Sequence, residues 1–123
     1  MQLGKVLNIV EDGKVVHVSI TIIPLGVGTS ISHYVAKTVE ILEELGYKPI
    51  VGPSETSFEL RSLEELGKII RKIHDTIHSM GVQRIITAIM IDDRRDKYQP
   101  LEAKVEKVKY LRRTIKRRPL GVI

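Results

Sequence analysis

The chain has 123 residues, 42% of them hydrophobic and 28% charged, with a net charge of +5; this suffices for one core but not two, so a single domain spanning 1–123 is expected. It contains no Cys, which excludes a disulfide scaffold, thiolate metal sites and a Cys nucleophile. No apolar run approaches the roughly 18 residues of a membrane span, and Met1 to Val10 lacks the layout of a signal peptide; the expectation is a cytoplasmic protein with no membrane partner.

Lys5 to Val10 reads as a short strand turned at Glu11-Asp12-Gly13-Lys14, since Asp-Gly between apolar runs is a hairpin signal. Val16, Val18, Ile20 and Ile22 then alternate with His17, Ser19 and Thr21, the period of a strand with one buried face. Pro24-Leu25-Gly26-Val27-Gly28 reads as a loop by composition. Thr29, Ser30 and Ser32 are each candidate caps for the helix that follows, whose predicted core stripe is Val35, Val39, Leu42 and Leu45, closed by Gly46. Tyr47 to Val51 and Thr56 to Leu60 read as two strands around Gly52-Pro53-Ser54-Glu55.

Ser62 and Glu65 have the spacing of a capping box at the start of a second helix. Its apolar face is Leu66, Ile69, Ile70, Ile73, Ile77 and Met80, and Gly81 ends it. Val82 to Ile91 reads as a strand with two apolar faces, expected to be buried on both sides. A last helix, Glu102 to Lys116, turns Leu101, Val105, Val108 and Leu111 or Ile115 inward. Residues 104–118 hold eight basic side chains against one acid, a segment charge of +7 that leaves −2 on the rest. The basic character thus lies in the tail and not in the domain. A single Asn, three Gln and abundant Ile, Lys and Glu are a usage common in thermophile proteins.

The predicted class is α+β: a ferredoxin-like βαββαβ antiparallel sheet with two helices on one face and an added C-terminal helix. Two helices cover only one face, so the open sheet face is expected to meet other copies of the chain.

Several residues merit a chemical reading. His74 and His78 have the i, i+4 spacing of metal ligands but no third ligand beside them, and a surface helix edge is the favoured reading. His17 and His33 are isolated, and no local motif argues for a catalytic group. The loop Gly26 to Ser30 runs into a helix N-terminus, where free amides suit a polar ligand atom or merely form a cap. Glu55 and Glu59 lie on the hairpin, where a carboxylate can neutralise a cationic ligand, and Asp92-Asp93-Arg94-Arg95-Asp96-Lys97 follows the last strand.

Pro24 to Ala36, read as Pro-x-Gly…Ser-x-Ser-x-Tyr-Val-Ala, resembles the entry segment of the small thiamine-binding protein family. Gly52-Pro53 with Thr56 and Glu59 is similar to its hairpin, and Arg84 with Ile91 to Lys97 to its closing strand. Leu60 stands where that family often has Gly, and Met90 where Lys is usual; either is a candidate to reshape the pocket. The resemblance implies a homotetramer, a dimer of dimers built by sheet-to-sheet packing, that binds thiamine or its pyrimidine moiety without catalysis. Thiamine offers an aminopyrimidine that needs directional hydrogen bonds and a cationic thiazolium that needs an acid or a π face. By position, Ser32, Thr56 and the amides of the Gly26 to Ser30 loop are candidates to read the pyrimidine, Glu59 or Asp92 to offset the cation, and Tyr34 or Phe58 to stack, with Ser30 a further ligand-binding candidate. No catalytic residue, cofactor or metal is assigned. The alternative is a nucleic-acid-binding domain using the basic C-terminal helix, disfavoured because the first and last strands carry no aromatic residue for base stacking. An enzyme on the same scaffold finds no reacting constellation.

Overall fold

The computed structural model describes residues 15–116. The expected hairpin over residues 5–14 and the basic residues Arg117 and Arg118 lie outside the described residues. In chain order the elements are β1 (Val16–Leu25), α1 (Ser32–Glu44), β2 (Ile50–Val51), β3 (Thr56–Leu60), α2 (Leu63–Ser79), β4 (Arg84–Asp92) and α3 (Leu101–Lys116). The four strands form one antiparallel sheet in the order β2-β3-β1-β4. Two βαβ crossovers interleave in the ferredoxin-like manner, with α1 and α2 packed on one face.

Side-chain alternation decides which face is which. Val18, Ile20, Phe58 and Leu60 point to the helices and are essentially inaccessible, meeting Leu42, Ile73 and Ile77 in one continuous core. Each such burial contributes about 1.5–3 kcal/mol. The opposite face carries His17, Ser19, Thr21 and Ile23 of β1 beside Asp92, Met90, Ala88 and Ile86 of β4. At its centre the Ser19 and Ser57 hydroxyls are hydrogen-bonded at 2.8 Å.

Several local expectations are corrected. β1 runs on through Pro24 and Leu25, paired with Ile85 and Arg84; β3 has already ended opposite Ile20, so Pro24 has a strand neighbour on one side only. None of Thr29, Ser30 and Ser32 caps α1 through its side chain, and the cap position is Ile31. The buried α1 residues are Thr38, Ile41 and Leu42, while Val35 and Val39 lie half-buried beside them. Gly46, at φ +89°, ends α1 in a Schellman turn: its N–H reaches the Glu43 carbonyl, and the Tyr47 N–H reaches that of Leu42. That use of the Tyr47 amide, together with Pro49, which has none, shortens β2 to two residues.

At α2, Ser62 caps by accepting from the Glu64 N–H. The capping box does not close, because the Glu65 carboxylate instead accepts the Tyr47 hydroxyl. The Tyr47 ring stands edge-on to Phe58, with centroids 5.3 Å apart, and lies under the Arg61 guanidinium. Met80 falls past the core and is exposed. β4 is an edge strand, and within the single chain its Ile86, Ile89, Met90 and Ile91 are exposed. The predicted inward stripe of α3 also faces outward, with Val105, Val108, Leu111 and Ile115 exposed and no α3 residue buried.

Candidate ligand cleft

A cleft of about 600 Å³ opens between α1 and the turn joining β2 to β3, within the range of small-molecule pockets. Ile20 and Ile22 of β1, Val35 and Val39 of α1 and Val51 of β2 supply apolar walls. The turn is held in place by two hydrogen bonds. The Gly52 N–H donates to the Glu55 carbonyl at 2.7 Å, and the Thr21 hydroxyl donates to the Ser54 carbonyl at 2.9 Å.

Thr21, Ser32, Thr38, Ser54, Glu55 and Thr56 add polar side chains to the lining. Thr56 is only 4% exposed, yet its hydroxyl has no hydrogen-bond partner among the described residues and is not sealed from solvent. A hydroxyl in that state is free to meet water or a polar atom of a ligand. Ser32, in the first turn of α1, is exposed at the opposite wall. Glu55 brings the single formal charge of the lining, its carboxylate folded close against the Gly52 backbone. Thr38 also borders the cleft, but its hydroxyl is committed to the Tyr34 carbonyl at 2.9 Å. The arrangement suits a flat, largely apolar ring with a few polar edges.

Of the candidate site residues, Ser32 and Thr56 line this cleft. Ser30 is exposed in the loop before α1, and Tyr34 is half-buried against the core. Phe58 is fully enclosed between sheet and helices, so it cannot stack on a ligand; its strand face had already committed it to the core. Glu59 and Asp92 sit on the open sheet face, where His17 lies between them on the same row. There Glu59 accepts the Leu101 N–H at 2.7 Å and the Tyr98 hydroxyl at 3.2 Å, and Lys104 pairs with Asp92 at 2.7 Å. Lys104 holds the Asp92 carboxyl below its usual range. Burial, and then Lys104, lower His17. Both carboxylates therefore anchor α3, away from the cleft. Leu60 is in the core and Met90 on the open face, so neither shapes the cleft, contrary to expectation.

His74 and His78 serve the fold: His74 Nε2 hydrogen-bonds the Thr87 hydroxyl at 2.6 Å, and His78 Nδ1 donates to the Val82 carbonyl at 2.7 Å. The apolar walls from Val35, Val39 and Val51 were missed as site residues. The signal was present, because Thr38, Ile41, Leu42 and Leu45 already supply a core face at helical spacing and leave the two valines at its edge.

The profile of a family described as thiamine-binding protein matches residues 18–109. The chain belongs to this family. A UPF0045 protein of Methanothermobacter thermautotrophicus is 40% identical over 91 residues, which cover 73% of this chain and 92% of that relative. UPF0045 protein YqgV of Bacillus subtilis is 43% identical over 96 residues, covering 72% and 89%. The crystal structure of MJ1052 from Methanocaldococcus jannaschii superposes with a TM-score of 0.68 at 31% identity, over 78% of this chain and 97% of that one. The family match ends inside α3, so Arg112, Arg113 and Lys116 of this thiamine-binding family member fall beyond it. Among the described residues no helix is long and apolar enough to cross a membrane.

Proposed function

We propose that the protein binds thiamine or a related pyrimidine compound in the cleft between α1 and the β2–β3 turn, without transforming it, as a cytoplasmic carrier or sensor. The observation that carries this reading is Thr56, a residue only 4% exposed that lines a largely apolar cleft of about 600 Å³ and whose hydroxyl has no hydrogen-bond partner among the described residues, in a member of the thiamine-binding family. An aminopyrimidine presents the ring nitrogen and exocyclic amine that such a hydroxyl, aided by Ser32, can satisfy. The apolar walls then cover the ring faces.

The working unit in this reading is a homotetramer, a dimer of dimers, joined through the open sheet face. Ile23, Ile86 and Met90 support it, being exposed together on that face among the described residues. The central strands β1 and β3 present His17, Ser19, Thr21, Ile23, Ser57 and Glu59 there, with no aromatic platform for bases. Phe58, the single Phe, is on the other side.

Isothermal titration with thiamine and with hydroxymethylpyrimidine tests the proposal. Saturable binding to the native chain, weakened about tenfold by Thr56→Val with an unchanged melting temperature, is the expected result. Absence of heat and of competition by either compound overturns it.

A further inference from the structure

Apart from the ligand cleft, α3 carries a surface that small-molecule binding leaves unused. We infer that α3 lays its apolar stripe on an anionic lipid surface, holding the protein at a membrane that it does not cross.

Val105, Val108, Leu111 and Ile115 recur at intervals of three, three and four, so they form one line along the helix. Each is exposed, Val108 at 58% and Ile115 at 65%. Beyond Lys104, Thr114 is the one half-buried residue of α3 and the others are exposed. The helix is fastened at its first turn, by Leu101 to Glu59 and by Lys104 to Asp92. Among the described residues, the stripe therefore stands free of the body. Aliphatic surface left in water over several turns favours transfer to an apolar medium.

The charges around the helix say which medium. Arg112 stands in line with Val105, Lys109 and Lys116 border the stripe on one side, and Lys107 borders it on the other. Of the two acids, Glu102 is in the first turn and Glu106 lies across the helix from the stripe. Arg117 and Arg118 continue the basic run in sequence. On a lipid boundary, long basic stems reach up to the phosphates while the aliphatic side chains between them enter the acyl region. Each Lys or Arg held close to an anionic leaflet strengthens binding by roughly fivefold. Arg112, Arg113 and Lys116 lie beyond the family match, so this basic end is outside the profile of the shared domain.

Two other occupants suit the stripe less well. Nucleic acid offers phosphates to the basic residues but little that would cover a line of Val, Leu and Ile, since sugars and base edges are chiefly polar. A second α3 laid stripe to stripe would bring the Arg112, Lys109 and Lys116 of both copies together, like charge against like. Anionic lipid satisfies the stripe and its borders at once.

Co-sedimentation of the full chain with vesicles tests the inference, comparing phosphatidylcholine alone with phosphatidylcholine containing about 30% phosphatidylglycerol. Binding to the anionic vesicles is expected to be at least about tenfold tighter than to the neutral ones, and to weaken in high salt. Val108→Ser/Ile115→Ser is expected to reduce it about tenfold with the charge unchanged, and Arg112→Gln/Lys116→Gln by a similar factor. All four side chains are exposed, so both variants should keep the native circular dichroism spectrum. Absent binding, or equal binding to both vesicle types, would overturn the inference. Undiminished binding by Val108→Ser/Ile115→Ser would do the same, reducing α3 to a general anion binder. A smaller mass for that variant in light scattering would place the stripe against a second copy and also overturn it. Thiamine titration reads the cleft separately, so the two readings fail independently.

Discussion

The Glu59 carboxylate accepts the backbone N–H of Leu101 at 2.7 Å, across 42 positions of sequence. Leu101 is the first residue of α3, so a strand residue caps a helix that starts far along the chain. The carboxylate satisfies an orphan amide and faces the positive end of the helix dipole. Tyr98 adds a second bond to Glu59, and Lys104 ties the same turn to Asp92. Among the described residues, every hydrogen bond from α3 to the rest of the molecule lies within this first turn.

Glu59→Gln is therefore expected to loosen α3 selectively, by about 1–2 kcal/mol of local stability. Hydrogen exchange should show faster amides over residues 101–108 and unchanged protection in β1, β3 and α2. Uniform loss of protection across the sheet would mean that Glu59 supports the core instead.

Truncation after Ala103 is expected to leave the melting temperature of the remaining domain within about 2 °C of the full chain, because no α3 residue is buried. Calorimetry of the two chains checks this, and a large drop would show that the stripe of Val105, Val108, Leu111 and Ile115 is packed in solution.

Met90→Asp addresses the open sheet face. Met90 is 72% exposed on an edge strand beside Ile86, so a carboxylate there costs the folded protomer little. Light scattering should report a smaller assembly with an unchanged circular dichroism spectrum. An unaltered mass would remove the open face as the site of association.

The pH dependence follows from two histidines. His17 is held below its ordinary 6.5 by burial first and by Lys104 second, against the opposing pull of Glu59 and Asp92. His74 is lowered by burial and by neighbouring His78. Below pH 6.5 the unfolded chain binds protons that the native chain refuses, so stability is full above that value and falls as pH drops toward the depressed native values. Melting temperatures at about pH 7.5 and about pH 5.5 should show a decline, flattened in His17→Gln/His74→Gln. A slope that the double variant leaves intact would assign it to other groups.

Tyr47→Phe removes the hydroxyl that Glu65 accepts while keeping the ring against Phe58. Burial and that hydrogen bond push the Tyr47 hydroxyl up, so it remains a donor through the neutral range. The expected cost is about 1–2 kcal/mol by denaturant titration, with the slope unchanged. A neutral result would mean that Glu65 takes up the capping role its spacing from Ser62 suggests.

Local signals were legible where a single segment decides the outcome. The alternation from Val16 to Ile22, the glycines closing α1 and α2, and the Ser62 cap each rest on one stretch of backbone, and all are present. The order of elements was enough for the ferredoxin-like topology, and the resemblance over Pro24 to Ala36, Gly52 to Glu59 and Arg84 with Ile91 to Lys97 pointed to the family. The sequence also held the two cleft hydroxyls, Ser32 and Thr56, since both fall in family-like motifs. Tertiary structure decided the rest, because polar side chains choose partners by distance in space. Glu65 has the spacing of a capping box, and the Tyr47 hydroxyl is a buried donor that needs it more. Glu59 and Asp92 read as ligand carboxylates until strand register places them on the open face beneath α3. The freedom of the Thr56 hydroxyl is likewise invisible in one dimension: it depends on α1 and the β2–β3 turn enclosing a threonine whose hydroxyl has no partner among the described residues.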